Sequence, residues 1–346
     1  MIRQQKAGRK TPCLRQIYLE ARWLVSSTAD YASSRKVLDH MRQVLAMKQD
    51  PHGREQLESD GSFAPCCDAW WLKLDMTCDE LITMSYKWQE PKYPVKLFDA
   101  VNSPEKLTAY MDTVLVSDVR KTGIDHAREL NMAVASDLQR FILYEGTLKE
   151  LPTKVDLDPK LRETLLQYED TKWQDPKTGM WGAWYRSADG TVVKTANLSI
   201  TFHVVSFRDG KGVHHWPQLI DTTLAMKNER YPFGWLEEGQ YPSNHHNYDV
   251  VRLWHLGWSQ ASGQQRQQIG KEIEGMLDFC LHKSLQPDGS FNSPEEDTVS
   301  SAFYFGVSLL SEAGYFSKKN RFWTDRSFPE SEEVRQRIEK RIKAIG

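Results

Sequence analysis

The chain has 346 residues, enough for about two average domains or one large repetitive one, with 40% hydrophobic and 27% charged residues. That balance supplies a packed core and excludes a disordered chain. The net charge of −2, from 45 Lys plus Arg against 47 Asp plus Glu, offers no basic excess and argues against a nucleic-acid partner.

The start, Met1-Ile2-Arg3-Gln4-Gln5-Lys6, is basic but lacks the apolar stretch of a signal peptide. No apolar run approaches the roughly 18 residues that span a bilayer. The expectation is a protein without a membrane span, cytoplasmic as given, or periplasmic or secreted if a leader has been removed. Loops carrying glycine and an aromatic then punctuate the chain. Ser59-Asp60-Gly61-Ser62-Phe63 precedes an apolar helix over Trp70 to Met84. Ser103-Pro104-Glu105 is a helix start, a capping residue before Pro at the first helical position, and opens an amphipathic helix to Leu115. Lys121-Thr122-Gly123-Ile124-Asp125 leads into apolar Leu130 to Leu143, with a half-exposed helix from Leu161 to Tyr168. Thr178-Gly179-Met180-Trp181-Gly182 precedes Leu198 to Phe207 and then Pro217 to Met226, while Thr191-Val192-Val193-Lys194 after Asp189-Gly190 reads as a small β-hairpin. Pro232-Phe233-Gly234-Trp235 precedes Tyr248 to Trp258 and Gln267 to Leu281; Pro287-Asp288-Gly289-Ser290-Phe291 precedes Val299 to Leu310.

The loop glycines at 61, 123, 179, 234 and 289 fall 62, 56, 55 and 55 residues apart. One buried and one half-exposed helix per period is a helical hairpin, and the chain has room for about six. Six hairpins close into a ring with apolar helices inside. The expected fold is all-α, a single (α/α)6 toroid domain over residues 1–346 with one small β-hairpin; an open helical solenoid is the alternative.

Gly275-Met276-Leu277-Asp278-Phe279-Cys280-Leu281 with Leu285-Gln286-Pro287-Asp288-Gly289-Ser290-Phe291, and Trp173-Gln174-Asp175-Pro176-Lys177-Thr178-Gly179-Met180-Trp181, resemble the QW repeats of squalene-type cyclases. In that superfamily the Gln and the aromatic tie consecutive hairpins together. Similar Asp-Gly-Ser-Phe loops occur in toroid polysaccharide lyases and glycoside hydrolases. The resemblance to the α/α-toroid superfamily implies a fold, shared by several enzyme classes, rather than one reaction.

Polar residues just after the loops are expected to line one rim. The densest run is Asn244-His245-His246-Asn247-Tyr248-Asp249, six polar or titratable residues ahead of an apolar helix. A His and a Tyr within one turn supply a base and an acid; the structural alternative is a capping turn built on Asn244 or Asn247. The candidate catalytic residues are His246, Tyr248, Asp249, Asn247, Asn197, Arg128 and Asp60. Twelve Trp, thirteen Tyr and thirteen Phe favour a cleft with aromatic platforms; the substrate-binding candidates are Trp181, Trp184, Tyr185, Trp235, Glu237, Asn131, His203 and Asp68. His203 on its apolar helix also reads as a core histidine, and Asp60 and Asp288, each before a glycine, read as turn residues.

The five cysteines, Cys13, Cys66, Cys67, Cys78 and Cys280, are odd in number and irregularly spaced, which is no disulfide framework, and the neighbours Cys66 and Cys67 read as reduced and partly buried. No HExxH, CxxC, Walker or dinucleotide motif appears, so neither metal nor cofactor is expected. Asp278-Phe279-Cys280 resembles the zinc ligands of protein prenyltransferase β-subunits, but no suitable third ligand follows. A Trp-lined funnel suits sugar rings, and the leading expectation is an enzyme acting on a poly- or oligosaccharide. The Asn/His/Tyr run leans to β-elimination, with His and Tyr as base and acid; a glycoside hydrolase with paired carboxylates is the alternative. A terpene-cyclase-like or isomerase activity on an isoprenoid is a further alternative, weakened because Asp156-Leu157-Asp158-Pro159 is the nearest match to the D-x-D-D acid motif. A non-catalytic binding toroid remains the last.

Overall fold

The computed structural model of the protein describes residues 31–46, 56–63, 67, 69–86, 89–143, 157–236, 242–293, 296 and 298–345. Among the described residues the fold is mostly helical, with 62% helix and one three-stranded sheet. The chain divides into two compact units, residues 1–172 with 183–194, and residues 173–182 with 195–346.

In the first unit the longer helices are α1 (Tyr31–Ala46), α2 (Trp70–Tyr86), α3 (Pro104–Val114), α4 and α5 (Leu161–Tyr168). The fourth, α4, starts as Ala127–Glu129, widens into a π-helical stretch Leu130–Leu138 and ends as Gln139–Leu143. α2 packs on α4, and α3 on α5. The first pair is apolar because both its members are enclosed: Leu72, Leu74 and Leu81 of α2 and Leu130, Ala133, Val134 and Leu138 of α4 are buried. α3 buries a single stripe, Leu107, Met111 and Val114, at helical spacing. Ser103 caps α3 as its sequence indicates, accepting from the Lys106 N–H, with Pro at the first turn. The expected β-hairpin forms from β2 (Trp184–Arg186) and β3 (Val192–Lys194), and β2 also pairs in parallel with β1 (Val116–Ser117).

The second unit carries α6 (Leu198–Phe207), α7 (Trp216–Ala225), α8 (Asn244–Gly257), α9 (Gly263–Phe279), α10 (Val299–Glu312) and α11 (Ser331–Ile345). α6, α8 and α10 pack side by side as one layer, and α7 lies against α9 as a second. Val204, Val251, Trp254, Leu309 and Leu310 fill the first layer; Leu219, Ile220, Ile269 and Ile273 fill the second.

The glycine loops show why the period exists. Gln174 donates from Nε2 to the Gly179 carbonyl at 2.9 Å and to the His214 carbonyl at 2.8 Å. In the first unit Gln56 does the same with the carbonyls of Gly61, at 2.9 Å, and Tyr93, at 2.8 Å. The aromatic two residues after each glycine gives its N–H to a threonine hydroxyl in the following helix, Phe63 to Thr77 and Trp181 to Thr201, both at 3.1 Å. Each loop therefore ties its own turn, the next helix and a later strand of chain. The glycines are obligatory there: φ is +69° at Gly61 and +71° at Gly179, and a Cβ would lie 2.1 Å from the Pro94 carbonyl oxygen and 2.5 Å from the Leu219 nitrogen.

Candidate active site

The six-residue polar run forms the first turns of α8, and the structure corrects the capping expectation. Ser243 stands at the cap, but no side chain caps the helix. Asn244 instead donates to Ser284 Oγ at 2.7 Å, buried. The helical twist then splits the run: Asn244 and Asn247 point inward and are buried, while His245 and Tyr248 are partly open.

Asp249 is the centre of the group. It is 1% exposed, and its Oδ2 accepts from the Tyr231 hydroxyl at 3.0 Å and faces His245 Nε2 at 3.9 Å. The other nitrogen of His245, Nδ1, lies 3.4 Å from Glu296 Oε1, so one imidazole stands between two carboxylates. Oδ1 of Asp249 makes no hydrogen bond in the structure. Burial pushes the Asp249 carboxyl up to about 7; Glu296 adds to the rise, and His245 and Tyr231 oppose it. His246 lies beneath, its ring stacked on Tyr231 at 3.7 Å and its Nδ1 3.0 Å from the Trp235 carbonyl. That carbonyl accepts only, so Nδ1 carries the proton. Burial, with His245 nearby, holds the His246 imidazole down at about 3, and it is neutral at physiological pH.

Tyr231 is held by a pinned loop. Its N–H donates to the Leu236 carbonyl at 2.9 Å, and the Leu236 N–H to the Glu229 carbonyl at 3.1 Å. Gly234 sits where a Cβ would lie 2.1 Å from the Glu229 carbonyl oxygen. His245 is fixed by stacking on Phe305 at 3.8 Å. A phenol hydrogen-bonded to a carboxyl raised towards neutrality, with an imidazole 3.9 Å from the same carboxyl, can exchange protons with a bound molecule.

The structure brings His246, Asp249 and Trp235 together with His245, Tyr231 and Glu296. Tyr248 lies alongside, edge-on to Phe202 at 5.5 Å, its phenol pushed above the usual range by burial first. His203 neighbours Phe202 on α6, and burial, then His245, hold it down at about 4. Other candidates take structural positions. Asn197 is 5% exposed and caps α6, accepting from the Ile200 N–H at 3.0 Å. Trp181, fully buried, is a core residue and not an open platform. Trp235 contributes its backbone carbonyl while its ring packs edge-on against Trp254 at 5.3 Å.

In the first unit Asp60 does turn work, accepting from the Ser62 N–H at 3.0 Å and from Lys73 Nζ at 3.0 Å. Burial raises its carboxyl, but those bonds outweigh it and leave it below the usual range. Trp184 is buried beneath the Lys194 ammonium, 4.0 Å from its ring. Tyr185 donates to Asp125 at 3.2 Å. Arg128 is exposed and Asn131 half-buried on α4. The turn entering α4 repeats the motif of the second unit: Glu129 accepts from the Tyr110 hydroxyl at 2.9 Å and lies 2.8 Å from His126 Nδ1. Glu237 and Asp68 lie outside the described residues.

Sequence reasoning placed His245 in the key run without giving it a role, and passed over Tyr231. Glu296 stood among the polar residues of the last loop. The available signal was the position of Tyr231 three residues before the Gly234 of a recurring loop. Among the described residues no three His, Cys, Asp or Glu side chains are placed to hold a metal ion, and no helix is long and apolar enough to cross a membrane. Comparison with protein-family models, curated proteins and solved structures finds no match to this chain.

Proposed function

We propose that the protein is a carbohydrate-active enzyme that cleaves a poly- or oligosaccharide by β-elimination, with His245 and Tyr231 as the proton-transferring pair. The observation that carries this reading is the Tyr231–Asp249–His245 group, in which a buried carboxyl bonds the phenol and faces the imidazole. β-Elimination needs a base for the proton beside the uronate carboxyl and an acid for the leaving oxygen, and His and Tyr supply both. His246 and Tyr248, the pair read from the sequence, support this group from below and beside it. The reading includes the closed (α/α)6 ring, supported by the two helical layers and the recurring Gln–Gly ties. A scattering profile tests the ring, since an open solenoid of equal length has a larger radius of gyration.

A hydrolytic reading is favoured by one further observation. Asp249, raised to about 7, and Glu296 lie on either side of one imidazole, and hydrolysis calls for an acid of raised pKa and a second carboxylate. The protein is assayed on neutral and uronic-acid polysaccharides, following ultraviolet absorbance of unsaturated ends together with reducing ends. Elimination gives both signals, and His245→Ala or Tyr231→Phe lowers both by about a hundredfold or more. Reducing ends without absorbance mean hydrolysis. No product from any glycan overturns the carbohydrate reading.

A further inference from the structure

Three helices of the second unit leave one side unburied, and its composition is specific. On α6 the partly open positions are Phe202, His203, Ser206 and Phe207; on α8 they include His245, Tyr248, Arg252 and His255; on α10 they include Ser301, Tyr304, Phe305 and Ser308. The rings touch in sequence across the helices. Phe202 meets Tyr248 at 5.5 Å, Tyr248 meets Tyr304 at 6.4 Å and Phe305 at 6.3 Å, and Tyr304 meets Phe305 at 5.0 Å. Tyr304 is 59% exposed although it lies mid-helix on α10, which packs beside α8. Phe305, in turn, stacks on His245. The aromatic row therefore begins at the proton-transferring group and runs away from it.

Past the row the face turns polar. Arg252 bonds Glu312 at 3.2 Å and Asp209 at 3.1 Å, and His255 bonds the same Glu312. An all-hydrocarbon ligand laid along this side would cover the ion network without replacing its water, at a cost of desolvation. A sugar has both kinds of surface: C–H faces for the rings, and hydroxyls that give and accept hydrogen bonds along the edge.

We propose that this face is a saccharide track, in which Tyr304 and Tyr248 form a stacking subsite for the sugar ring next to the bond acted on by His245 and Tyr231. The proposal rests on the carbohydrate reading above and adds to it where the substrate lies. Tyr304 is a binding residue here, and its hydroxyl is dispensable: the ring carries the contact.

The test is binding, read separately from turnover. Titration calorimetry of the full chain with a neutral glucan hexasaccharide and with an oligouronate hexasaccharide gives Kd for the wild type, His245→Ala, Tyr304→Ala and Tyr304→Phe. The expected result is that one of the two sugars binds, that Tyr304→Ala weakens it about tenfold with an unchanged melting midpoint, and that Tyr304→Phe restores it. Binding by Tyr304→Ala equal to wild type overturns the subsite. So does tight binding of farnesol by the wild type with neither sugar bound. Sugar binding that depends on Tyr304, in a protein that cleaves no glycan, leaves the track standing and removes the enzyme reading.

Discussion

At the scale of single residues, Asp249 couples chemistry to stability. Its carboxyl sits at about 7 in the folded protein against an ordinary value of 3.8, chiefly because burial disfavours the charge. A raised carboxyl costs nothing below the unfolded value, costs progressively more as pH rises towards 7, and costs its full amount above that, on the order of a few kcal/mol. Asp249→Asn keeps an acceptor for the Tyr231 hydroxyl but carries no charge. It is expected to abolish turnover and yet raise the melting midpoint at pH 8, which parallel assays of activity and thermal unfolding check; a lower midpoint at pH 8 contradicts the buried-charge account. The polar cluster around Asp249 was legible in the sequence because six polar residues in a row are poor packing material. Tyr231 was not legible, and Glu296 only as one polar residue of the last loop, since both reach His245 and Asp249 only through folding. The reverse case is Asn197: its place before an apolar helix suggested a catalytic role, and the structure shows the commoner use of that position, a cap.

At the scale of elements, the glycine period was readable because four of its five glycines, 61, 179, 234 and 289, are forced by backbone close to where a Cβ would lie, while Gly123 needs only its positive φ. The expected helices appear with ends shifted by a few residues, as at α8, which begins at Asn244 instead of Tyr248. The π-helical stretch Leu130–Leu138 left no trace in the apolar pattern, because an apolar helix looks alike whichever way its turns are wound. The parallel pairing of β1 with β2 was equally hidden, being two residues long with its partner 68 positions away. The forced glycines give a graded prediction. Gly190 has φ +88° but nothing within 4 Å of an added Cβ, whereas Gly179 has both positive φ and backbone atoms of His215 and Leu219 within 2.6 Å. Gly190→Ala is expected to cost about 1 kcal/mol in urea unfolding and Gly179→Ala about 2–4 kcal/mol. Equal costs would mean that the loops are not tied to the helix beyond them.

At the scale of the whole molecule, titratable groups held off their ordinary values in opposite senses contribute to how stability varies with acidity. His203 and His246 are held down at about 4 and about 3, so below their unfolded value of 6.5 the unfolded chain takes up two protons that the folded chain refuses. Asp249 acts the other way between 3.8 and about 7, binding one proton in the folded state that the unfolded state has released. The balance between about pH 6 and pH 4 is one proton in favour of unfolding, which corresponds to a loss of about 1.4 kcal/mol for each pH unit of acidification from these three groups. Glu312 extends the loss further into acid, because its bonds to His255 and Arg252 overcome burial and hold its carboxyl low. Removing single members should change the slope in opposite directions. Asp249→Asn leaves both histidines unopposed and roughly doubles the slope, while His203→Gln leaves one histidine against one carboxyl and nearly flattens it. Urea unfolding at a series of pH values reads all three slopes in one experiment. If Asp249→Asn and His203→Gln shift the slope the same way, the two groups do not titrate in opposite senses, and the proton-exchanging group at the start of α8 loses its electrostatic basis.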